Sequence, residues 1–221
     1  MTEWGIFQNR RDAGRKLSAQ LLAFETVDPI VLGLARGGVI VAAEVAERLG
    51  ARLEAIVVRK IGHPEQREFG LGALTPDGIA QYDDEALERL GMRRDQLESV
   101  VREESEEAVR REALYRRGRG PMELRSRTVI AVDDGLATGG SAVAVGRFLR
   151  RQGVAESVLA SPVCSKEAQR RAEQEFDHVI CLECPDPFLA VGQWYEDFRE
   201  VSDEDVLSAL SGAVSSGRWG E

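Results

Sequence analysis

Two adjacent carboxylates, Asp133 and Asp134, stand at the end of an apolar run and directly before a small glycine-containing turn. Carboxylate oxygens accept hydrogen bonds from sugar hydroxyls and can hold a hydrated Mg²⁺. Neighbouring acidic residues have no purpose in a plain strand-to-helix turn. We therefore interpret the pair as the part of a ligand site that contacts a sugar or a metal ion.

The turn that follows, Ala137–Ser141, has the composition of a phosphate-binding loop. Gly139 and Gly140 allow the backbone to approach a ligand and to point its N–H groups at it. Thr138 and Ser141 add hydroxyl donors, and a helix beginning at Ser141 adds partial positive charge. The segment is predicted to bind a sugar phosphate. The alternative is an ordinary strand–turn–helix junction that Ser141 caps.

Other phosphate motifs do not fit the spacing. A P-loop requires Gly-Lys-Ser/Thr, and this turn has no lysine. The dinucleotide fingerprint G-x-G-x-x-G follows no predicted strand.

The elements around these residues alternate between strands and helices. Strands are predicted at 30–34, 53–58, 129–132, 157–163 and 178–182, and helices at 12–24, 37–50, 141–152 and 166–175. This order indicates a parallel, doubly wound sheet, in which ligands gather at the carboxyl ends of the strands. Gly- and Pro-rich residues 61–81 are predicted to form a mobile hairpin or flap, and 84–118 a charged helical insertion.

Val129–Ser141 resembles the PRPP-binding loop of the type I phosphoribosyltransferases, and most closely the adenine type, which also carries Leu-Ala-Thr-Gly-Gly. Gly33–Gly38 resembles the pyrophosphate loop of that family. Relatives often place a non-proline cis peptide bond before the basic residue of this loop, here between Ala35 and Arg36. A plain helix-start turn with a solvent-facing Arg36 is the alternative.

The resemblance extends to 185–199, which looks like the hood of purine phosphoribosyltransferases. Aromatic side chains stack on flat heterocycles, so this segment would cover the base. The expected base contacts are Phe188, Leu189, Val191 and Trp194. These aromatic residues could equally seal the core.

The resemblance implies an α/β fold with a Rossmann-like parallel sheet, a small hood and a flexible flap. A single domain would occupy 1–221, with its core at 12–182 and its hood at 185–210. The reaction would be Mg²⁺-dependent transfer of 5-phosphoribosyl from PRPP to a nitrogen acceptor, most simply a nucleobase in nucleotide salvage.

Residue roles follow from the same resemblance. Asp133 and Asp134 would hold the ribose hydroxyls, stabilise the ribosyl cation and hold Mg²⁺, directly or through water, while Ala137–Ser141 would bind the 5-phosphate. Pyrophosphate would be bound by Arg36, Gly37, Lys60 and Arg199. Ala137 replaces the acid that hypoxanthine-guanine types use on the purine, so the general acid or base is unassigned.

A regulator that senses PRPP or a nucleotide without turnover is the rival interpretation. The formal net charge of −9 and the lack of an added DNA-binding module disfavour nucleic acid as a partner. With no bilayer-length apolar run and no signal core, we expect a cytoplasmic protein without a membrane partner. A homodimer is compatible with the sequence.

The chain contains three cysteines, Cys164, Cys181 and Cys184. Cys181 and Cys184 have the spacing of half a zinc site, but no second half is evident. Because Cys181 ends an apolar run, buried reduced thiols are the preferred interpretation, and Cys164 is taken the same way.

Overall fold

A computed structural model describes residues 6–67 and 69–215. In chain order the strands are β1 (Ile30–Leu34), β2 (Arg52–Ile56), β3 (Arg59–Gly62), β4 (Gly70–Leu74), β5 (Ala80–Tyr82), β6 (Thr128–Val132), β7 (Glu156–Val163) and β8 (His178–Glu183). The helices are α1 (Arg10–Ser18), α2 (Gly37–Leu49), α3 (Asp84–Leu90), α4 (Glu98–Arg116), α5 (Gly140–Gln152), α6 (Lys166–Ala172) and α7 (Asp203–Ser215).

A parallel sheet with the strand order β2-β1-β6-β7-β8 forms the centre of the molecule. Its middle strands are almost continuously apolar because helices cover both faces. One face packs against α1, α2 and α7, with Leu17, Val45 and Val206 in its core. The other packs against α5 and α6 through Phe148 and Ala168. The predicted α/β class and doubly wound sheet are confirmed.

Two predicted boundaries require correction. The helix expected over 12–24 is helical only to Ser18 and continues as a 3₁₀ helix, Ala19–Val27. The second strand ends at Ile56, the last residue in register with β1. Lys60 therefore belongs to β3, which pairs antiparallel with β4, and not to the end of a strand of the parallel sheet.

Residues 61–81 have a regular form. Strands β3, β4 and β5 make a small antiparallel sheet with β4 in the middle. Ile61 and Leu71 are fully buried and pack with Leu87, Leu97 and Val100 of the helical insertion. The segment is a hairpin sheet with its own small core, and its opening or closing over a ligand stays a prediction.

The charged insertion is helical, as expected, and its break falls at Gly91, where φ is +62°. The helix α7 was not predicted within the hood at 185–210. Its apolar residues Val206, Ala209 and Leu210 recur at helical spacing and pack on the core. Residues 216–221 lie outside the described residues. Among the described helices, none has the length and apolarity needed to cross a bilayer.

Candidate functional site

The two predicted ligand loops meet at the carboxyl edge of the sheet. Asp133 follows β6, and its N–H donates to the carbonyl of Ala160 on β7 at 3.2 Å. The loop after β1 lies against the loop that carries Asp133 and Asp134, and at two of its positions there is no room for a side chain. A Cβ at Gly37 would stand 1.9 Å from Asp134 Oδ2, and one at Gly38 would stand 2.5 Å from a β6 carbonyl oxygen. Glycine at both positions lets the two loops share one site.

Arg10 is a site residue that sequence reasoning missed. Its Nε donates to Asp134 Oδ2 at 2.7 Å, and its Nη1 donates to the carbonyl of Arg199 at 2.9 Å. The guanidinium carbon lies 3.8 Å from the centroid of the Phe198 ring. The side chains of Arg10 and Asp134 are only 10% and 16% exposed, so this is a largely desolvated ion pair. No motif marks Arg10, which begins an otherwise polar helix.

The surroundings of Asp133 shift the pKa of its carboxyl group. Burial, and then the charge of neighbouring Asp134, raise the pKa of Asp133 well above its ordinary value of 3.8. The N–H of Asp134, which donates to Asp133 Oδ1 at 2.9 Å, opposes this shift of the pKa. Adjacent acids in such surroundings favour a ligand that brings hydrogen-bond donors or positive charge.

The predicted phosphate loop, Ala137–Ser141, presents free donors. Its carbonyls are turned toward α6: Ser165 Oγ donates to the Ala137 carbonyl at 2.6 Å, and Arg171 to that of Thr138 at 3.1 Å. Among the described residues, the N–H groups of Thr138, Gly139, Gly140 and Ser141 donate no hydrogen bond. Gly139 has φ +76°, a conformation that favours glycine.

The hood segment packs against the acidic loop at Asp134 and Gly135. A Cβ at Gly135 would lie 2.2 Å from Val191, so the two chain segments touch at this point. Tyr195 Oη donates to the Asp134 carbonyl at 2.5 Å. Phe188 and Trp194 stack with their centroids 6.2 Å apart, while Leu189 is 71% exposed. Val191 thus lies beside the acidic pair, and the aromatic residues partly seal a local core.

The four residues predicted to bind pyrophosphate do not all lie in one loop. The Ala35–Arg36 peptide bond is cis, as the resemblance implied. Arg36 donates to Glu200 Oε1 at 2.5 Å, and Glu200 is 81% exposed. The Arg199 side chain is 86% exposed and lies 3.9 Å from Asp197, while its carbonyl binds Arg10. Lys60 lies in the small β3-β4-β5 sheet, so only Arg36 and Gly37 stand in the loop beside the acids.

The chain is similar to known proteins over most of its length. Residues 6–199 match the model of the phosphoribosyl transferase domain. Two Mycobacterium tuberculosis proteins, MT0597 of strain CDC 1551 and Rv0571c of strain H37Rv, are each 39% identical over 208 residues and are provisionally named phosphoribosyl transferases. That alignment covers 94% of this chain and 47% of each relative. The chain therefore spans about half the length of these relatives.

A solved structure is similar over nearly its whole length. The protein TT1426 from Thermus thermophilus is 40% identical, with a TM-score of 0.76. The match covers 92% of this chain and 97% of TT1426.

Proposed function

Because this chain belongs to the phosphoribosyl transferase family, we propose that it transfers the 5-phosphoribosyl group of PRPP to a nitrogen acceptor and releases pyrophosphate. In this reaction the bond from the anomeric carbon to pyrophosphate breaks and a bond to the acceptor nitrogen forms. The acceptor nitrogen loses a proton in the process. The observation that carries the proposal is the contact of the Arg36–Gly37 loop with the paired acids at one sheet edge.

Each ligand group has a matching part of the site. Asp133 and Asp134 would accept hydrogen bonds from the ribose hydroxyls and stabilise positive charge as it grows on the ring. The free N–H groups of Thr138–Ser141 would bind the 5-phosphate at the start of α5. Arg36 would offset charge on the departing pyrophosphate. Val191 and the stacked Phe188 and Trp194 would lie on the acceptor side.

The donor set also fits a magnesium ion. Asp133 and Asp134 offer the hard carboxylate oxygens that Mg²⁺ prefers, and they would hold the hydrated ion through water. When bound, the ion supplies positive charge against that of the diphosphate. Arg10 would orient Asp134 with or without the ion, because Arg10 contacts only Oδ2 of Asp134.

A screen of nucleobases with PRPP and Mg²⁺, following pyrophosphate release, tests the proposal. We expect release that depends on one class of acceptor. Tight PRPP binding without turnover on any nucleobase would favour the rival function, a PRPP-sensing regulator. Failure to bind PRPP at all would overturn both.

The phosphate loop can be tested with one added charge. Gly140→Asp is expected to weaken PRPP binding by at least about tenfold, since a carboxylate beside the phosphate costs over about 1 kcal/mol. A Cβ there would meet only Thr138 Oγ1 at 3.9 Å, so folding should be unaffected. Gly120→Asp, also in open space, is the matched control. If calorimetry gives the two variants equal PRPP affinity, this loop does not bind the phosphate.

Glu200 competes with ligand for Arg36 in this proposal. Glu200→Gln is expected to strengthen pyrophosphate and PRPP binding by up to about fivefold, because an exposed ion pair contributes at most about 1 kcal/mol. Glu196→Gln, an exposed acid in the same segment, is the control. If Glu200→Gln weakens binding, Glu200 orients Arg36 and does not compete for it.

A further inference from the structure

All three cysteines of the chain meet at the carboxyl ends of β7 and β8. Cys164 follows β7, Cys181 lies in β8, and Cys184 follows β8. Their sulfur atoms all lie within 4.8 Å of one another. The Cys164 N–H donates to the carbonyl of Glu183 at 3.0 Å, which fixes the two strand ends side by side. The sequence showed only half of this cluster, because Cys164 is distant along the chain.

The cluster has the chemistry and access of a soft-metal site. Tetrahedral zinc with Zn–S bonds of about 2.3 Å separates its sulfur ligands by roughly 3.8 Å. Cys164 and Cys184 Sγ stand 2.7 Å apart, so they would part by roughly 1 Å to admit the ion. Cys164 is buried, whereas Cys181 and Cys184 are partly exposed and give an ion a route from solvent.

An oxygen donor lies beside the sulfurs. Gln169 Oε1 on α6 is 3.1 Å from Cys184 Sγ. The Gln169 side-chain amide donates to Glu173 Oε1 at 3.1 Å, which orients the oxygen toward the cluster. Three sulfurs and one oriented oxygen complete a four-coordinate set.

We propose that Cys164, Cys181 and Cys184 form a thiolate site for Zn²⁺ or a similarly soft divalent ion, with Gln169 or water in the fourth position. Burial and the neighbouring Cys164 raise the pKa of Cys184 to about 12, whereas a metal ion binds the thiolate form of cysteine. Binding would therefore release protons. A disulfide, by contrast, would use two sulfurs and leave the third without a role.

The site would also brace the phosphate loop. Ser165, next to Cys164, donates its N–H to the Leu136 carbonyl at 2.9 Å and its Oγ to the Ala137 carbonyl. Leu136 in turn donates to the Val163 carbonyl. A metal ion that ties Cys164 to β8 would hold the strand end on which this loop rests. The metal site itself does not depend on the proposed transferase activity.

Metal binding to the full chain, reduced, free of metal and without a histidine tag, is the test. Titration with Co²⁺ should give the intense visible spectrum of a tetrahedral thiolate complex at one ion per chain, and Zn²⁺ should displace it. Zn²⁺ should also protect the two partly exposed thiols, Cys181 and Cys184, from a thiol reagent. Cys164→Ser is expected to weaken Zn²⁺ binding at least about tenfold, whereas Gln169→Ala, in which water takes the fourth position, should weaken it less.

Asp133→Asn is the control that should bind Zn²⁺ unchanged, because it alters only the acidic pair. Substoichiometric Zn²⁺ uptake by the reduced wild-type chain would overturn the site, a result that requires no variant to fold. So would Zn²⁺ affinity unaffected by Cys164→Ser. If the reduced chain exposed to dioxygen as oxidant forms a Cys164–Cys184 disulfide even with Zn²⁺ present, the cluster is a redox pair and the metal site is overturned.

Discussion

Replacing Asp133 by asparagine is expected to abolish PRPP turnover while raising the free energy of unfolding at neutral pH. Turnover should fall at least about a hundredfold, because the proposed function gives Asp133 the charge that would stabilise the ribosyl cation, and the substitution removes that charge. Stability should rise because the fold disfavours the ionised form of Asp133: burial and Asp134 raise its pKa. The asparagine oxygen can still accept the Asp134 N–H, so the local backbone is retained.

The pH dependence has a defined sign. A carboxyl group whose pKa is higher in the folded than in the unfolded chain binds more protons in the folded state, so stability falls as pH rises from about 3.8 through the raised pKa. Urea unfolding of wild type and Asp133→Asn across that range should show the variant without this loss. A variant less stable than wild type at pH 7, or one with normal turnover, contradicts the assignment.

Arg10→Met is expected to destabilise the fold by about 3–5 kcal/mol, the cost of leaving one partner of a buried ion pair alone. Asp134 would lose its ion-pair partner in a largely desolvated position, and Phe198 would lose its cation. Urea unfolding measures the effect. Arg11→Met is the matched control, because Arg11 is 56% exposed and its pair with Glu44 contributes at most about 1 kcal/mol.

A double-mutant cycle separates the ion pair from packing. If the pair carries the effect, Arg10→Met combined with Asp134→Asn should recover part of the stability lost by Arg10→Met alone. Strictly additive losses would show that Arg10 contributes by its contact with Phe198 and the Arg199 carbonyl instead.

Local patterns predicted the sheet and the acidic loop well. Three adjacent segments form this part of the chain: the apolar run before Asp133, the glycine turn and the following helix. Because they are contiguous, the residue types and their spacing are enough to predict them. Strand β3 was not predicted, because Arg59 and Lys60 directly follow the apolar run of the strand expected at 53–58. Only pairing with β4 shows that a new sheet has begun.

Contacts between distant parts of the chain could not be predicted from local patterns. Arg10 reaches Asp134 across 124 residues, and Cys164 joins Cys184 only because β7 and β8 are neighbours. Arg36 was found by its loop, but its partner Glu200 was not. In each case the sequence supplied the residue type, whereas the fold alone determined which residue it faces.

The joining of early and late segments at this site has a consequence for protein synthesis. The Phe7 N–H donates to the Trp194 carbonyl, and Arg10 binds the carbonyl of Arg199. A ribosome that has released the acidic loop has supplied Arg10, but not yet the Trp194 and Arg199 carbonyls that hold Phe7 and Arg10 in place. A ligand can therefore meet the completed site only after residue 199 has emerged from the ribosome.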